Sequence, residues 1–390
     1  MAGLGLAHGL TKYGVDVVAF ESRPDLATSG YRLHMNADGG AALRFLLRAD
    51  AFSAYQQTSR RNPRRHVLAM VDENLDEVAT RPHIGPPNDR LVPHTAVNRL
   101  TLRQILASGL GESVQFGARV AGFVEDSDGV TVRLVDGTEV RGDVLVAADG
   151  MRSQVRNQLL GAPVFRDSGE ATIYSRVPFS MLGDLDLPPV LEDGFVLAAD
   201  AVGHELTFGP FAPRRPIRDV QRDLLPDTEL TDVDPYLQVT VSAPAAGPNA
   251  FACGSIFEAS PEQTHEYMRR HVRDWSPTVR DIVDRVELKS ISAVPIRGIE
   301  TTPAWASGRV TVVGDAIHGM PPTFGAGANT ALKDAAYLLE HLLRVVDGAE
   351  LLQEIGAYEA EMRAYSYPIA NAAHEPAARR DADFMPPTAA

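Results

Sequence analysis

The sequence predicts an α/β fold in which a Rossmann-like layer, built from both ends of the chain, is interleaved with a mostly antiparallel β-sheet domain and followed by a helical C-terminus. Three observations predict it. The chain opens MAGLGLAHGLTKYGVDVVAFESR, a helical pattern followed by a strand that ends in an acid. Helices and strands then alternate as far as residue 168. Over 169–257 the texture changes to short alternating segments such as ATIYSRV, FVLAAD, HELTFGPF, YLQVTVSA and AFACGSIFEA, parted by Pro, Gly and Asp, which is the pattern of an antiparallel sheet.

Taken in order, Leu4, Leu6, Ala7 and Leu10 give an apolar helix face from Gly3 onward, Gly14 breaks it, and 15–20 reads as a buried strand before Glu21. A short strand at 31–35 and a helix at 40–47 follow. The stretch 51–94 is rich in Arg, Pro and Asn, with strand candidates at 67–71 and 77–80. Asn98 is placed to cap a helix over 99–106, because its side-chain oxygen can accept from the free first-turn amides. Strands are expected at 114–116, 119–125, 130–135 and 139–148, and a helix at 151–160. Helices at 261–272 and 276–286, strands at 288–295 and 310–313, and long helices after Asn329 complete the chain. The expected domains are 1–168 (with 51–94 contributing to the substrate side), 169–286, 287–375, and a tail at 376–390.

Bulk properties narrow the function. A formal charge of -14, from 51 acids against 37 bases, argues against a nucleic-acid surface. The single cysteine, Cys253, excludes an intramolecular disulfide and a thiolate metal cluster. No apolar run reaches the roughly 18 residues of a membrane span, and a basic-then-apolar leader pattern is lacking. The expectation is a soluble, cytoplasmic enzyme. HEYMRRH, 265–271, lacks His-Glu-x-x-His spacing and reads as a solvent-facing helix, so no metal site is expected.

Three motifs carry chemistry. In the opening stretch Gly3 and Glu21 stand 18 residues apart, which suits the last glycine of a Gly-x-Gly-x-x-Gly turn and the acid that meets a ribose. Alone this is a common pairing. DVLVAADGMRSQVR, 143–156, is a strand delivering Asp149 and Gly150 to a turn before a helix, where α/β folds place ligands. It also reads as a plain turn. RVTVVGDAIHGMPPTFGAGANTALKDAAYLLEHL, 309–342, is the most specific: a strand ends at Gly314-Asp315, and a bend at Pro321-Pro322 leads through Gly325, Gly327, Ala328 and Asn329 into a long helix. Glycines let backbone amides approach a ligand, and a helix N-terminus favours negative charge.

Together and in this order, the motifs resemble those of the FAD-dependent aromatic monooxygenases with the para-hydroxybenzoate hydroxylase fold, a family that includes tetracycline-degrading and polyketide-tailoring hydroxylases. The similarity covers nearly the whole chain. It implies that the Rossmann-like layer binds FAD, with Gly3 in the first turn, Glu21 on the adenosine ribose and Arg23 nearby. Arg99 or Arg103, one helical turn apart, would reach the pyrophosphate. Asp149 and Gly150 would lie on the adenosine and pyrophosphate side, Asp315 on the ribityl chain, and Pro322, Gly325, Gly327, Ala328 and Asn329 along the pyrimidine edge of the flavin. The implied reaction uses NADPH or NADH and O2 to hydroxylate a phenolic or polycyclic aromatic small molecule through a C4a-hydroperoxyflavin. Epoxidation and Baeyer-Villiger insertion are alternatives on the same fold, and a catalytically inactive flavin- or ligand-binding protein, or a truncated product, is an alternative of another class. The halogenase signature Trp-x-Trp-x-Ile-Pro is missing, since the tryptophans are Trp275 and Trp305.

The resemblance also places GYRLHMNADG, 30–39, beside the flavin, where His34 is the candidate proton acceptor and Arg32 and Asn36 candidate substrate contacts; the alternative for His34 is a structural role. Phe208, Pro321 and Phe324 are further substrate candidates, with Phe195, Phe211 and Phe257 as possible cavity walls. RRNPRRH, 60–66, could meet NADPH phosphates or be a solvated loop, and the role of His318 is open. The sequence departs from the family's pattern at its front, where the first strand and first two glycines are missing, and a start further upstream is expected.

Overall fold

Asn98 behaves as its position dictates: its Oδ1 accepts from the amides of Leu100 and Thr101 and starts the helix Arg99–Ala107. The surrounding architecture comes from a computed structural model that describes residues 1–390 except 27–30, 62–64, 66, 84–85, 248–250, 252, 323–324 and 376–390. In chain order the first half runs α1 (Ala2–Lys12), β1 (Ala19–Glu21), β2 (Arg32–Met35), α2 (Ala37–Leu46), α3 (Ala49–Thr58), β3 (Val67–Val71), β4 (Glu77–Pro82), β5 (Thr95–Asn98), α4 (Arg99–Ala107), β6 (Val114–Phe116), β7 (Val120–Glu125), β8 (Val130–Leu134), β9 (Glu139–Gly142), β10 (Leu145–Ala147) and α5 (Gln154–Leu160). The second half runs β11 (Phe165–Pro178), α6 (Pro189–Asp193), β12 (Phe195–Ala199), β13 (Glu205–Phe211), α7 (Ile217–Leu224), β14 (Tyr236–Pro244), α8 (Pro261–His271), α9 (Pro277–Asp284), β15 (Ser292–Ile299), β16 (Val310–Val312), α10 (Asp315–His318), α11 (Gly327–Val346) and α12 (Leu351–Ala372).

The fold is mixed α/β, as the sequence predicts. Parallel pairs β1–β6 and β10–β16 form the Rossmann-like layer, so the layer does draw on both ends of the chain. Between them, among the described residues, no strand links β1 to β10. A seven-stranded sheet of order β15-β11-β14-β13-β12-β3-β4 makes the second layer, antiparallel except where β12 meets β3. The long apolar helix α11 lies at the centre of the first core, against α1, α2 and α12. Gly3 lets α1 approach the sheet closely, because a Cβ there would lie 2.9 Å from the Ala148 Cβ. Among the described residues no helix is long and apolar enough to cross a membrane.

Several elements depart from expectation. Helix α3 lies in the Arg- and Pro-rich stretch; Ala51, Ala54, Tyr55 and Thr58 bury one face of it, a helical spacing hidden in a polar segment. The strand expected at 15–20 begins only at Ala19, and 139–148 divides into β9 and β10. AFACGSIFEA is not a strand over its described residues, which form turns and one isolated bridge, Ala246 to Ser255. A short turn occupies Leu288–Ser290, and β15 pairs with β11, so the large sheet extends past residue 286.

The period of two in that sheet decides what each strand residue can do. On one face Ile173, Val196, Ala198, Leu206, Phe208, Val239 and Val241 pack with α8 and α9 residues such as Met268, Val279 and Ile282. The alternate residues, Tyr174, Phe195, Leu197, Thr207, Gln238 and Thr240, face a cavity instead.

Candidate active site

A cavity of about 1780 Å³ runs from the first turn of α1, between β1 and β10, to the open face of the large sheet. At the α1 end it is lined by Gly3, Glu21, Arg23, Arg99, Arg103, Asp149, Gly150 and Asp315, and further along by Pro321, Pro322, Gly325, Gly327 and Ala328. The glycine stretch, the arginines and the two aspartate turns, far apart in sequence, therefore share one space.

Each group is held by local physics. Glu21 at the end of β1 accepts from the Arg23 amide at 3.0 Å and from the Arg103 guanidinium at 3.4 Å. Burial, then the charge of Arg99, pulls the Arg103 guanidinium below its usual value, and Glu21 opposes them. Arg99 stacks over the Tyr31 ring, 5.4 Å from its centroid. The Asp149 carboxylate accepts from the Gln154 amide at 3.0 Å, and Gly150 holds a φ of 80° that other residues resist. Asp315 begins α10 and is exposed to the cavity while its neighbours in the chain are buried. Behind it Asp334 accepts from the Gly314 amide at 2.6 Å, from His318 Nε2 at 2.6 Å and from the Tyr365 hydroxyl at 2.5 Å. That network gives His318 a place: it anchors the turn from the interior, fully buried.

Asn329 and Asn36 work as structural ties. Asn329 is buried; its Oδ1 accepts from the Asn36 amide at 3.0 Å, and its Nδ2 donates to the carbonyls of His34 at 2.9 Å and Gly325 at 3.0 Å. The Asn36 side chain caps α2 by accepting from the Gly39 amide. Neither lines the cavity. The glycine loop, with Gly325 at a φ of 60°, is thus fastened to β2, and α11 begins there with no side chain capping its first amides.

His34 lies where these two segments meet the large sheet. Its ring stacks on His83 at 4.8 Å between centroids and meets His94 edge-on at 5.3 Å. Burial first, then His83, Arg32 and His94, drives its pKa well below the ordinary histidine value, so the imidazole is neutral, and its Nε2 is buried with no hydrogen-bond partner. Arg32, two residues back on the same strand, also lines the cavity.

Of the remaining substrate candidates, Pro321 and Phe195 line the cavity, but Phe208 does not: it is fully buried on the opposite face of β13. Parity is the reason, since Thr207 faces the cavity and each successive side chain turns over. Phe211 is core and Phe257 is exposed away from the cavity. Phe324 lies outside the described residues, as do four residues of RRNPRRH. In that run Arg60 is turned inward onto the carbonyls of Glu192 and Asp193, and Arg65 pairs with Glu77. Sequence reasoning misses Arg81, His83, Tyr31, Tyr174 and Gln238, all cavity-lining. The alternation of β4 is the available signal for Arg81.

A family model described as an FAD binding domain matches residues 1–373. The chain belongs to that family. Among curated members of similar sequence, a dual O-methyltransferase/FAD-dependent monooxygenase of Phaeosphaeria nodorum is 26% identical over 93% of this chain and 43% of its own length. An aurachin C monooxygenase/isomerase of Stigmatella aurantiaca is 27% identical over 92% of this chain and 82% of its own. The chain thus spans under half the length of the former. A crystal structure of a provisionally named FAD containing monooxygenase from Photorhabdus luminescens superposes with a TM-score of 0.78 at 28% identity, covering 95% of this chain and 94% of the other.

The donor set of this FAD binding domain fits the cofactor. Arg99 and Arg103 supply positive charge at the α1 end, Glu21 and Asp315 offer acceptors for sugar hydroxyls, and the uncapped start of α11 offers amides to an anionic edge. The cavity continues past that edge to a polar-and-aromatic floor on the large sheet.

Proposed function

We propose that the protein is a flavoprotein monooxygenase that uses NAD(P)H and O2 to hydroxylate a phenolic or polycyclic aromatic small molecule. The observation that carries this reading is the continuity of one cavity from the arginine, glycine and Asp315 cluster to a sheet-floored compartment bearing His34. Bound FAD supplies the redox chemistry, taking two electrons from NAD(P)H and activating O2 so that one oxygen atom enters the substrate and the other leaves as water.

The chain's own residues bind, orient and shield. Glu21, Arg99 and Arg103 hold the adenosine and phosphate part, Asp149 and Gly150 complete that side, and Asp315 engages the sugar-like chain. Pro322 and the backbone of Gly325, Gly327 and Ala328, which line the cavity beside it, would hold the ring edge. Asn329 keeps that loop in register with β2, which carries His34. A neutral imidazole keeps one acceptor nitrogen, so the His34 ring would accept the hydrogen bond of a phenolic hydroxyl and orient it beside the flavin edge. Phe195, Leu197 and the stacked pair Tyr31–Tyr174, 4.6 Å between centroids, exclude water from the compartment.

The test is reconstitution. Protein titrated with FAD should quench flavin fluorescence at a 1:1 endpoint, and with NAD(P)H, labelled O2 and a panel of phenols it should yield a product carrying one labelled oxygen. A protein that takes up no FAD, or a product whose new oxygen comes from water, would overturn the reading. Position of the label also separates ring hydroxylation from epoxidation and Baeyer-Villiger insertion.

A further inference from the structure

Three methionines line the cavity: Met1, Met151 and Met320. Met1 packs against the core around α1, and Met320 is buried with Ala326, Ala370 and Ala373. Met151 belongs to no apolar cluster among the described residues. It follows Asp149 and Gly150 in the turn between β10 and α5, and its thioether lies on Gly319, which ends α10. The Asp149 turn and the Asp315 turn therefore touch through one sulfur-bearing side chain that neither the core nor the proposed chemistry uses.

The contact is close and fixed on both sides. A Cβ on Gly319 would collide with Met151 Cγ and fall 2.9 Å from Sδ, so the thioether occupies the space of a side chain at 319. On the Met151 side, the buried Arg156 guanidinium donates to the Met151 carbonyl at 3.0 Å. On the other side, the Gly319 carbonyl accepts from the Ile299 amide of β15 at 2.8 Å. Gly298 backs that carbonyl so tightly that a Cβ there would lie 2.9 Å from its oxygen. Neither backbone can retreat without losing a hydrogen bond. The next atom around the seat is the Asp315 carbonyl oxygen, 3.1 Å from the Cβ position of residue 319, and a carbonyl only accepts.

We propose that Met151 is a peroxide-modification site: hydrogen peroxide formed in the cavity oxidises its thioether to the sulfoxide, and the sulfoxide loosens the junction of the Asp149 and Asp315 turns. The source of peroxide rests on the proposed activity, since O2 that takes two electrons from NAD(P)H and two protons and finds no aromatic ring leaves as hydrogen peroxide. A sulfur lone pair attacks one peroxide oxygen, the S–O bond forms as the O–O bond breaks, and the other oxygen leaves as water with both protons. Sulfur gives up two electrons and the peroxide takes them. The product side chain is polar and one atom larger, and on Gly319 it meets close-packed glycine backbone and an acceptor where it needs a donor. A protein that reduces O2 without substrate thereby weakens its own hold on the cofactor.

The experiment treats the FAD-titrated protein with hydrogen peroxide and follows each methionine by peptide mass spectrometry. Met151 should gain one oxygen well before the fully buried Met35, Met268 and Met362, with the exposed Met181 as the reference for free access. Protein oxidised at Met151 should bind FAD at least about 10-fold more weakly, and methionine sulfoxide reductase should restore the affinity. Met151→Leu, which keeps the volume without the sulfur, should take up FAD and hold it through the same treatment. A second arm supplies NAD(P)H, O2 and no substrate in the presence of catalase, which removes free peroxide; Met151 should still be oxidised while Met181 is spared. Four results would each overturn the proposal: Met151 left reduced when Met181 is fully oxidised, an unchanged FAD affinity after oxidation at Met151, an equal loss of affinity in Met151→Leu, or oxidation of Met151 that catalase suppresses as fully as that of Met181. A protein that is oxidised at Met151 by added peroxide but consumes no NAD(P)H would contradict the proposed activity and leave the modification site standing.

Discussion

Replacing Asn329 with alanine should separate the glycine loop from the strand that carries His34. Asn329 is buried and makes three hydrogen bonds, to the Asn36 amide and the His34 and Gly325 carbonyls. At about 1 kcal/mol net for each, with buried partners left unmatched, the loss is about 3 kcal/mol. Urea unfolding of the parent and the variant measures this directly, and flavin titration should show a weakened affinity, because the amides beside Gly325 are no longer positioned before binding. Asn329→Asp sharpens the test. It keeps an acceptor for Asn36 but turns a second oxygen onto two carbonyls, and should be at least as destabilising at neutral pH. If N329A unfolds within about 0.5 kcal/mol of the parent, inside the ordinary range of surface substitutions, and binds FAD equally well, the tie between loop and strand is not what organises the site.

Three further outcomes follow from the geometry. Burial lowers the His318 pKa, but the charge and hydrogen bond of Asp334 and the charge of Asp315 outweigh it, so the net shift is upward. Its stabilisation is then fully present below the unfolded histidine value of about 6.5 and lost as pH rises through the higher folded value; the urea midpoint of the parent should fall across that rise more steeply than that of His318→Asn. Phe208→Ala should cost about 3–5 kcal/mol in urea unfolding with aromatic ligand binding intact, whereas Phe195→Ala should weaken aromatic ligand binding with a smaller loss of stability. Asp315→Ala removes a cavity-facing carboxylate from a buried turn, and a flavin titration should show an affinity roughly 10-fold lower at a nearly unchanged unfolding midpoint.

Much of the site is legible in the amino-acid order. Strand-to-turn junctions at Asp149 and Asp315, and the glycine run that opens α11, are local signals: a buried strand must end, and glycines mark where backbone must approach something. Their convergence on one cavity is expected from the order of motifs and is seen in the lining residues. The same locality explains the Asn98 cap and the two-residue alternation that announces the antiparallel sheet. What is not legible depends on parity and partners. Phe208 and Thr207 are adjacent in sequence yet face opposite sides of a sheet, and only the register with β12 and β14 says which side is the cavity. Helix α3 is hidden because its buried face consists of small residues and one tyrosine amid polar ones.

The sequence by itself determined the fold class, the three chemistry-bearing turns and the alternation of the sheet, because each is set by a few neighbouring residues whose conformational and burial preferences agree. Tertiary structure alone decided that Asn329 is a tie and not a cavity contact, that His34 meets His83 and His94, and that Arg32 lies over the Phe195 ring. Those are statements about which distant side chains share a desolvated space, and the free energy of a charge or a polar group there depends on neighbours that the linear order does not name.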